Sequence, residues 1–387
     1  MKKQLALLIA AAMTLTLAAC GASGSTGSAS SAAPDHTITL GVFEPKTGAS
    51  GIREELGIAY AQSLRPTVTV DGVPCTVVLD WQDSPSDPDD AVAAARQLVS
   101  DGCAAVIGGC DAAACIAAGS TFAQARLPAI ATSCTGANVT LGNDYYFRTR
   151  TLDALQGTAL ADWATAQNYR EIATVNCIDD ESTARQVAAF TARFEENGGK
   201  VVDAETFQSG ETVFTDLLAG LKASGVKAVF APTSVACASL LLDQAGGLGW
   251  KVQWIAGDAW NDPAFLSEAG KAAEGVVLAC AYVQGADAPF DQGFQAWLQA
   301  DPARLEANGN STAATGSQAL AFDSYNTALD AIEAANSLEG PAIRDALTTL
   351  DKRDAVTGAL SFDANGDACR DTTYLARIQK GVFTLAE

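Results

Sequence analysis

Histidine is almost absent from this chain: His36 is the only one among 387 residues. Catalytic dyads and triads built on imidazole are therefore excluded, as are most zinc and iron sites, for which histidine is the commonest ligand. Positive charge is also scarce, with 24 Lys and Arg against 45 Asp and Glu and a net charge of -21. Such a chain repels phosphate backbones and anionic lipid, which argues against nucleic acid and against adsorption to a membrane surface. Cysteine is present, but no two cysteines stand in a Cys-x-x-Cys pair, which counts against structural zinc and a thioredoxin-like redox site. Past the N-terminal segment, no apolar run approaches the length of a membrane-spanning helix. No metal and no cofactor are expected. The carboxylates of Asp87, Asp89 and Asp90 cluster at a predicted helix start, where they favour the helix dipole and face solvent.

The N-terminus carries Lys2 and Lys3 ahead of an apolar run from Leu5 to Leu17. The run is short for a bilayer span and ends in small residues, so it reads as a secretion signal. Leu17-Ala18-Ala19-Cys20 resembles the lipobox of bacterial lipoproteins. The resemblance implies that residues 1–20 are a lipoprotein signal, that Cys20 is lipidated, and that Cys20 becomes the mature N-terminus. A plain signal peptide with a chance cysteine is the alternative. Lipid on Cys20 would supply more than one acyl chain, enough for stable anchoring to the cell membrane. Residues 21–36 form a Gly/Ser/Ala tether that cannot bury a core. It holds the folded part about 20 Å from the lipid. Setting Cys20 aside leaves an odd number of cysteines, so at least one is free or bonded outside the chain. Those in apolar surroundings, such as Cys237 and Cys280, read as small buried hydrophobes.

From Thr37 onward strand-like runs alternate with helical patterns. Ile38–Phe43, Thr76–Trp81, Ala104–Ile107 and Ala129–Ala131 are strand-like, separated by helices over Arg53–Ser63, Pro88–Ser100 and Cys115–Ala125. The alternation restarts at Ile172–Asn176 and continues through Val201–Phe207, Ala228–Ala231 and Gln253–Ala256. Phe214, Leu217, Leu218 and Leu221 make the i, i+3, i+4, i+7 stripe of an amphipathic helix. Later helices are expected over Phe290–Gln299, Ser317–Ala335 and Pro341–Leu350. Strand–helix alternation at this spacing means parallel, doubly wound α/β sheets, and two series mean two lobes. Ligands of such sheets sit outside the carboxyl ends of the strands, so two facing lobes create a cleft lined by those ends.

The order and spacing of several segments carry a resemblance. They are Gly41-Val42-Phe43-Glu44-Pro45-Lys46-Thr47-Gly48, Asp87-Pro88 with Ala91, Val106-Ile107-Gly108-Gly109, and Leu127-Pro128-Ala129-Ile130 leading to Ser133-Cys134-Thr135. Tyr146-Phe147-Arg148-Thr149, Gly257-Asp258-Ala259-Trp260-Asn261-Asp262-Pro263-Ala264-Phe265 and the late Gly358–Asp367 signature follow. Over residues 37–387 the chain resembles the periplasmic-type substrate-binding proteins of branched-chain amino-acid ABC transporters, the Leu/Ile/Val-binding type. The resemblance implies a type I periplasmic binding protein fold with a three-segment hinge. Lobe 1 would be 37–149 plus 283–357, and lobe 2 would be 150–282 plus 358–387.

It further implies a monomeric, extracytoplasmic receptor that hands an amino-acid-like solute to an ABC permease and catalyses no reaction. A ligand-binding sensor of the same fold is the alternative. Ligand-carboxylate donors would be Ser133 and Thr135, together with backbone N–H groups at Ala112, where the family has a hydroxyl residue. Capping of the following segment is the other role open to Ser133 and Thr135. Asp258 would meet the ligand ammonium, or serve as a turn residue. The family presents tyrosines around the cleft, whereas those places here carry Ser50, Ser182 and Thr233, which make a roomier and more polar pocket. Trp260 and Trp81 are candidates for an apolar wall, with simple packing as the alternative for Trp81.

Overall fold

The computed structural model describes residues 36–84, 87–351, 353–370 and 373–386. The expected signal, Cys20 and residues 21–35 of the expected tether lie outside the described residues, whereas His36, the last residue of that expected tether, belongs to the folded body.

The first sheet holds β1 (Thr37–Glu44), β2 (Thr67–Val70), β3 (Val73–Asp83), β4 (Ala105–Ile107), β5 (Ala129–Ala131) and β6 (Tyr146–Arg148). The helices α1 (Ala49–Leu64), α2 (Pro88–Ser100) and α3 (Ala112–Ala125) lie between them in sequence. Its spatial order is β2-β3-β1-β4-β5-β6. β1 pairs in parallel with β3 on one side and β4 on the other, so strand order reverses at β1. The crevice beyond its carboxyl end is where such sheets bind ligands. β1 also explains its own position: Leu40, Val42 and Phe43 are fully buried, as a strand covered on both faces requires.

The second sheet begins after α4 (Asp153–Ala166) and holds β7 (Glu171–Cys177), β8 (Lys200–Phe207), β9 (Ala228–Phe230), β10 (Gln253–Ala256) and β11 (Val277–Cys280). These alternate with α5 (Glu181–Glu196), α6 (Thr215–Ser224), α7 (Val235–Gly247) and α8 (Pro263–Ala269). The chain then runs through α9 (Ala288–Gln299), α10 (Pro302–Ala307), α11 (Gly316–Ala335) and α12 (Gly340–Thr348). A small hairpin of β12 (Leu360–Phe362) and β13 (Ala368–Arg370) follows, and β14 (Tyr374–Gln379) and β15 (Val382–Leu385) close the second sheet. Its order is β15-β14-β11-β10-β9-β7-β8, with the reversal at β7.

Doubly wound α/β sheets are thus observed, with antiparallel strands confined to the edges, β2 on one sheet and β14–β15 on the other. α11 and α12 pack on the first sheet through Ala321, Tyr325, Leu329, Ile332, Ile343 and Leu347. Phe362 of the small hairpin meets Phe147 of β6 edge to face at 5.2 Å, on the first body. Where the passages run together, the fully buried Arg148 donates to Asp367 at 2.5 Å and to the Gly136 carbonyl at 2.8 Å. Arg370 donates to the Thr149 carbonyl at 2.8 Å and to that of Gly358 at 2.8 Å.

Candidate functional site

The carboxyl ends of both sheets open on one cavity of about 620 Å³. From the first lobe it is lined by Thr47, Ser50 and Arg53 after β1, by Cys110 and Asp111 after β4, and by Ser133 and Thr135 after β5. From the second come Asp180, Ser182, Thr183 and Gln186 after β7, Thr233 and Ser234 after β9, and Asp258, Asn261 and Asp262 after β10. Helix caps hold much of this lining in place. Asp111 accepts the Ala114 N–H at 2.8 Å, Asp180 accepts Ser182 N–H at 2.9 Å, and Ser234 accepts Cys237 N–H at 3.4 Å.

Ser50, Ser133, Thr135, Ser182, Thr233 and Asp258 all line the cavity. Ala112 does not line it: it is the first residue of α3, and its neighbours Cys110 and Asp111 face the cavity instead. Trp260 supplies no wall either. It is fully buried in the second lobe, packs on Phe265 at a centroid distance of 4.8 Å, and donates its indole N–H to the Thr233 carbonyl at 2.8 Å. A buried indole needs such a partner, which draws the ring into the core. Trp81 lines a separate groove of about 930 Å³ on another face of α1, with Trp297 and Arg304, and that groove contains none of the second-lobe residues.

Asp258 is already paired, with the Arg150 guanidinium against its carboxylate. Across the mouth, Arg53 of α1 makes a bidentate bond to Asp262, the N-cap of α8, at 2.6 and 2.8 Å. This fork joins the two lobes directly. The sequence reading assigned no role to Arg53, Arg150 or Asp262. Their partners lie far off in sequence, and nothing in local spacing marks them.

The floor on the first lobe holds a group that local sequence also conceals. Glu44 ends β1 and Glu54 lies in α1, and both are buried. Glu44 accepts the Gly109 N–H at 2.8 Å, and Glu54 accepts the Ser133 hydroxyl. Gly109 sits at φ 111°, and a Cβ there would meet the Cys115 sulfur at 2.5 Å, so the loop reaches Glu44 only as glycine. Among the described residues, no donor reaches one oxygen of each glutamate. Carboxylate oxygens of the two and the Cys110 sulfur lie within 4.8 Å of one another, a donor set able to hold a metal ion. Burial, then the neighbouring Glu54, pushes the Glu44 carboxyl well above the usual carboxylate range. Burial also raises Glu54, with Ser133 and Arg150 acting the other way. Burial and the two glutamates push the Cys110 thiol up, so it is neutral.

The cysteines at Cys75, Cys103, Cys115, Cys134, Cys177 and Cys280 are free and buried, as small hydrophobes are. Cys237 is partly covered, and Cys369 is exposed. No helix among the described residues is long and apolar enough to cross a membrane.

Comparison with known proteins agrees with this architecture. The chain is 26% identical to Leu/Ile/Val-binding protein homolog 2 of Brucella abortus, over 89% of this chain and 91% of that one. Its structure is similar to a leucine-binding protein from Thermotoga maritima, with a TM-score of 0.76 at 24% identity, covering 91% of this chain and 98% of the other. It is similar also to an ABC-transporter solute-binding protein from Rhodopseudomonas palustris in complex with p-hydroxybenzoic acid, with a TM-score of 0.76 at 21% identity, covering 90% and 95%. Residues 37–382 match the family described as periplasmic binding protein, and with its two α/β lobes around a strand-end cleft the chain belongs to that family.

Proposed function

We propose that this protein is the extracytoplasmic solute-binding component of an ABC importer, anchored by lipid on Cys20, and that it captures a small, polar, amino-acid-related solute. The observation that carries the solute class is the cavity lining. Among the described residues that line it there is no leucine, isoleucine, valine or aromatic side chain. Pockets for leucine or a benzoate need apolar surface, because burying a side chain of that size against apolar walls supplies about 1.5–3 kcal/mol. Here serine, threonine, aspartate and arginine side chains take those places. Relatives named for leucine, isoleucine and valine support the transporter assignment, and the departures at Ser50, Ser182 and Thr233 support a different solute within it. No catalytic step is assigned to any lining group.

A thermal-shift screen of the purified protein tests this reading, with amino acids, their amides and short peptides as probes. A ligand at 100 times its Kd stabilises the folded state by about 2.7 kcal/mol. Shifts are expected among polar amino acids and amides. No shift from any amino acid, amide or peptide would overturn the solute class. Replacement of Cys20 by serine is expected to release the protein from the membrane fraction when the whole chain is expressed in bacteria.

A further inference from the structure

Glu44 and Glu54 reach the first-lobe floor from different elements, the end of β1 and the body of α1, and both are fully buried. Each has one oxygen in use. Glu44 Oε1 accepts the Gly109 N–H at 2.8 Å, and Glu54 Oε1 accepts the Ser133 hydroxyl. The Oε2 of each finds no donor among the described residues. A buried carboxylate oxygen with nothing to accept from is costly, so two of them together call for a positive group between them. Arg150 is already held against Asp258.

Cys110 completes a donor set. Gly108 and Gly109 lie at φ 109° and 111° and let the loop after β4 fold against Glu44, where a Cβ on Gly108 would meet Oε1 at 2.8 Å. The Cys110 sulfur and a carboxylate oxygen of each glutamate then lie within 4.8 Å of one another. Donors about 2.0–2.3 Å from a tetrahedral zinc stand about 3.3–3.8 Å apart, a spacing that side-chain rotation reaches from here. Two oxygens with one soft sulfur suit zinc, whereas magnesium and calcium take oxygen ligands. The Gly109 N–H and the Ser133 hydroxyl hold the carboxylates from behind, as outer partners of metal ligands do. Cys110 and Ser133 also line the cleft cavity, which gives an ion its way in.

We propose that Glu44, Glu54 and Cys110 bind one zinc-class divalent cation in the floor of the first lobe, with its fourth position open toward the cleft. On binding, the thiol gives up its proton to solvent, and zinc–sulfur and zinc–oxygen bonds replace bonds from zinc to water. The three ligands come from β1, α1 and the loop after β4, without histidine or a Cys-x-x-Cys pair, so local spacing carries no sign of them. The site is independent of which solute the cleft captures, and failure of every amino acid in the thermal-shift screen would leave it standing.

Isothermal titration of the purified, chelator-treated protein with ZnCl₂ tests it, with CaCl₂ and MgCl₂ as comparisons. One equivalent of Zn²⁺ is expected to bind, about 100-fold or more tightly than Ca²⁺ or Mg²⁺. Glu44→Gln, Glu54→Gln and Cys110→Ser are each expected to weaken Zn²⁺ about 100-fold. Ser133→Ala, which removes the bond orienting Glu54, is expected to weaken it about 10-fold. Replacing the exposed Cys369 by serine is expected to change nothing. A second readout needs no variant: saturating Zn²⁺ is expected to slow alkylation of Cys110 by iodoacetamide about 10-fold, mapped by peptide mass, and to leave Cys369 as reactive as before. Equal Zn²⁺ binding by the native chain and the three ligand variants would mean an adventitious ion only, on an acidic surface, and would overturn the inference. Unaltered alkylation of Cys110, tighter binding of Ca²⁺ than of Zn²⁺, or no Zn²⁺ binding at all would overturn it equally.

Discussion

Glu44 shows how much a single residue draws from its surroundings. In the sequence it is one letter of the Gly41–Gly48 segment. In the fold it ends β1, accepts the Gly109 N–H and lies buried beside Glu54. Its raised pKa sets the sign of a pH effect. A carboxyl group that is harder to ionise when folded contributes stability at pH below its unfolded value, and that contribution is lost as pH rises toward the folded value. Glu44→Gln removes the ionisation. Its stability relative to the native protein is therefore expected to rise from pH 5 to pH 8, read from urea midpoints at each pH. Parallel curves for the two proteins would mean that Glu44 ionises without cost in the folded state. The polar lining at Ser50, Ser133, Thr135, Ser182, Thr233 and Asp258 was legible in sequence through the family resemblance, which implies those positions around the cleft. Glu54, Arg53 and Arg150 were not, because their roles come from partners on other elements.

At the scale of elements, the central strands and long amphipathic helices were readable from periodicity, and the edges were not. β2 and β3 form a hairpin whose turn, Asp71-Gly72, has both residues at positive φ. The alternating Thr67–Val70 run and the Asp-Gly pair are a signal for that hairpin, so this strand was available to a closer reading. β14 was less so, since its pairing partner β11 lies almost a hundred residues earlier, and β15 pairs in turn with β14. Trp260 went the other way: it stands in a cleft segment, but its indole N–H finds the Thr233 carbonyl and carries the ring into the core. The pairing of α1 with α11 depends on one close approach. A Cβ on Gly57 would meet the Gln318 carbonyl at 2.3 Å and the Ala321 methyl at 2.9 Å. Gly57→Ala is expected to cost about 1–3 kcal/mol through overpacking, despite the better helix propensity of alanine. A stabilised Gly57→Ala in chemical denaturation would show that the two helices have room to separate.

The whole molecule is two α/β lobes facing each other across a strand-end cleft. Arg148, fully buried, ties the end of the first sheet to Asp367 in the late Gly358–Asp367 signature. Removing one member of such a pair strands the other without compensation. Arg148→Ala is expected to lower stability by about 3–5 kcal/mol, measured by urea unfolding. Arg53 and Asp262 act differently, because their bond crosses from one lobe to the other. Breaking it favours the open arrangement and takes affinity with it, since ligand closes the cleft only against the open–closed balance. Both Arg53→Ala and Asp262→Asn are expected to raise the radius of gyration of the ligand-free protein in X-ray solution scattering. An unchanged radius in both would deny the bond a part in closure.

The central claim, a cleft of this family suited to a small polar solute rather than to an apolar side chain, meets its most direct test in calorimetric titration of the purified protein with L-glutamine, L-serine and L-leucine side by side. The lining residues predict that a polar amino acid binds more tightly than leucine. Leucine binding more tightly than either polar amino acid would contradict the account.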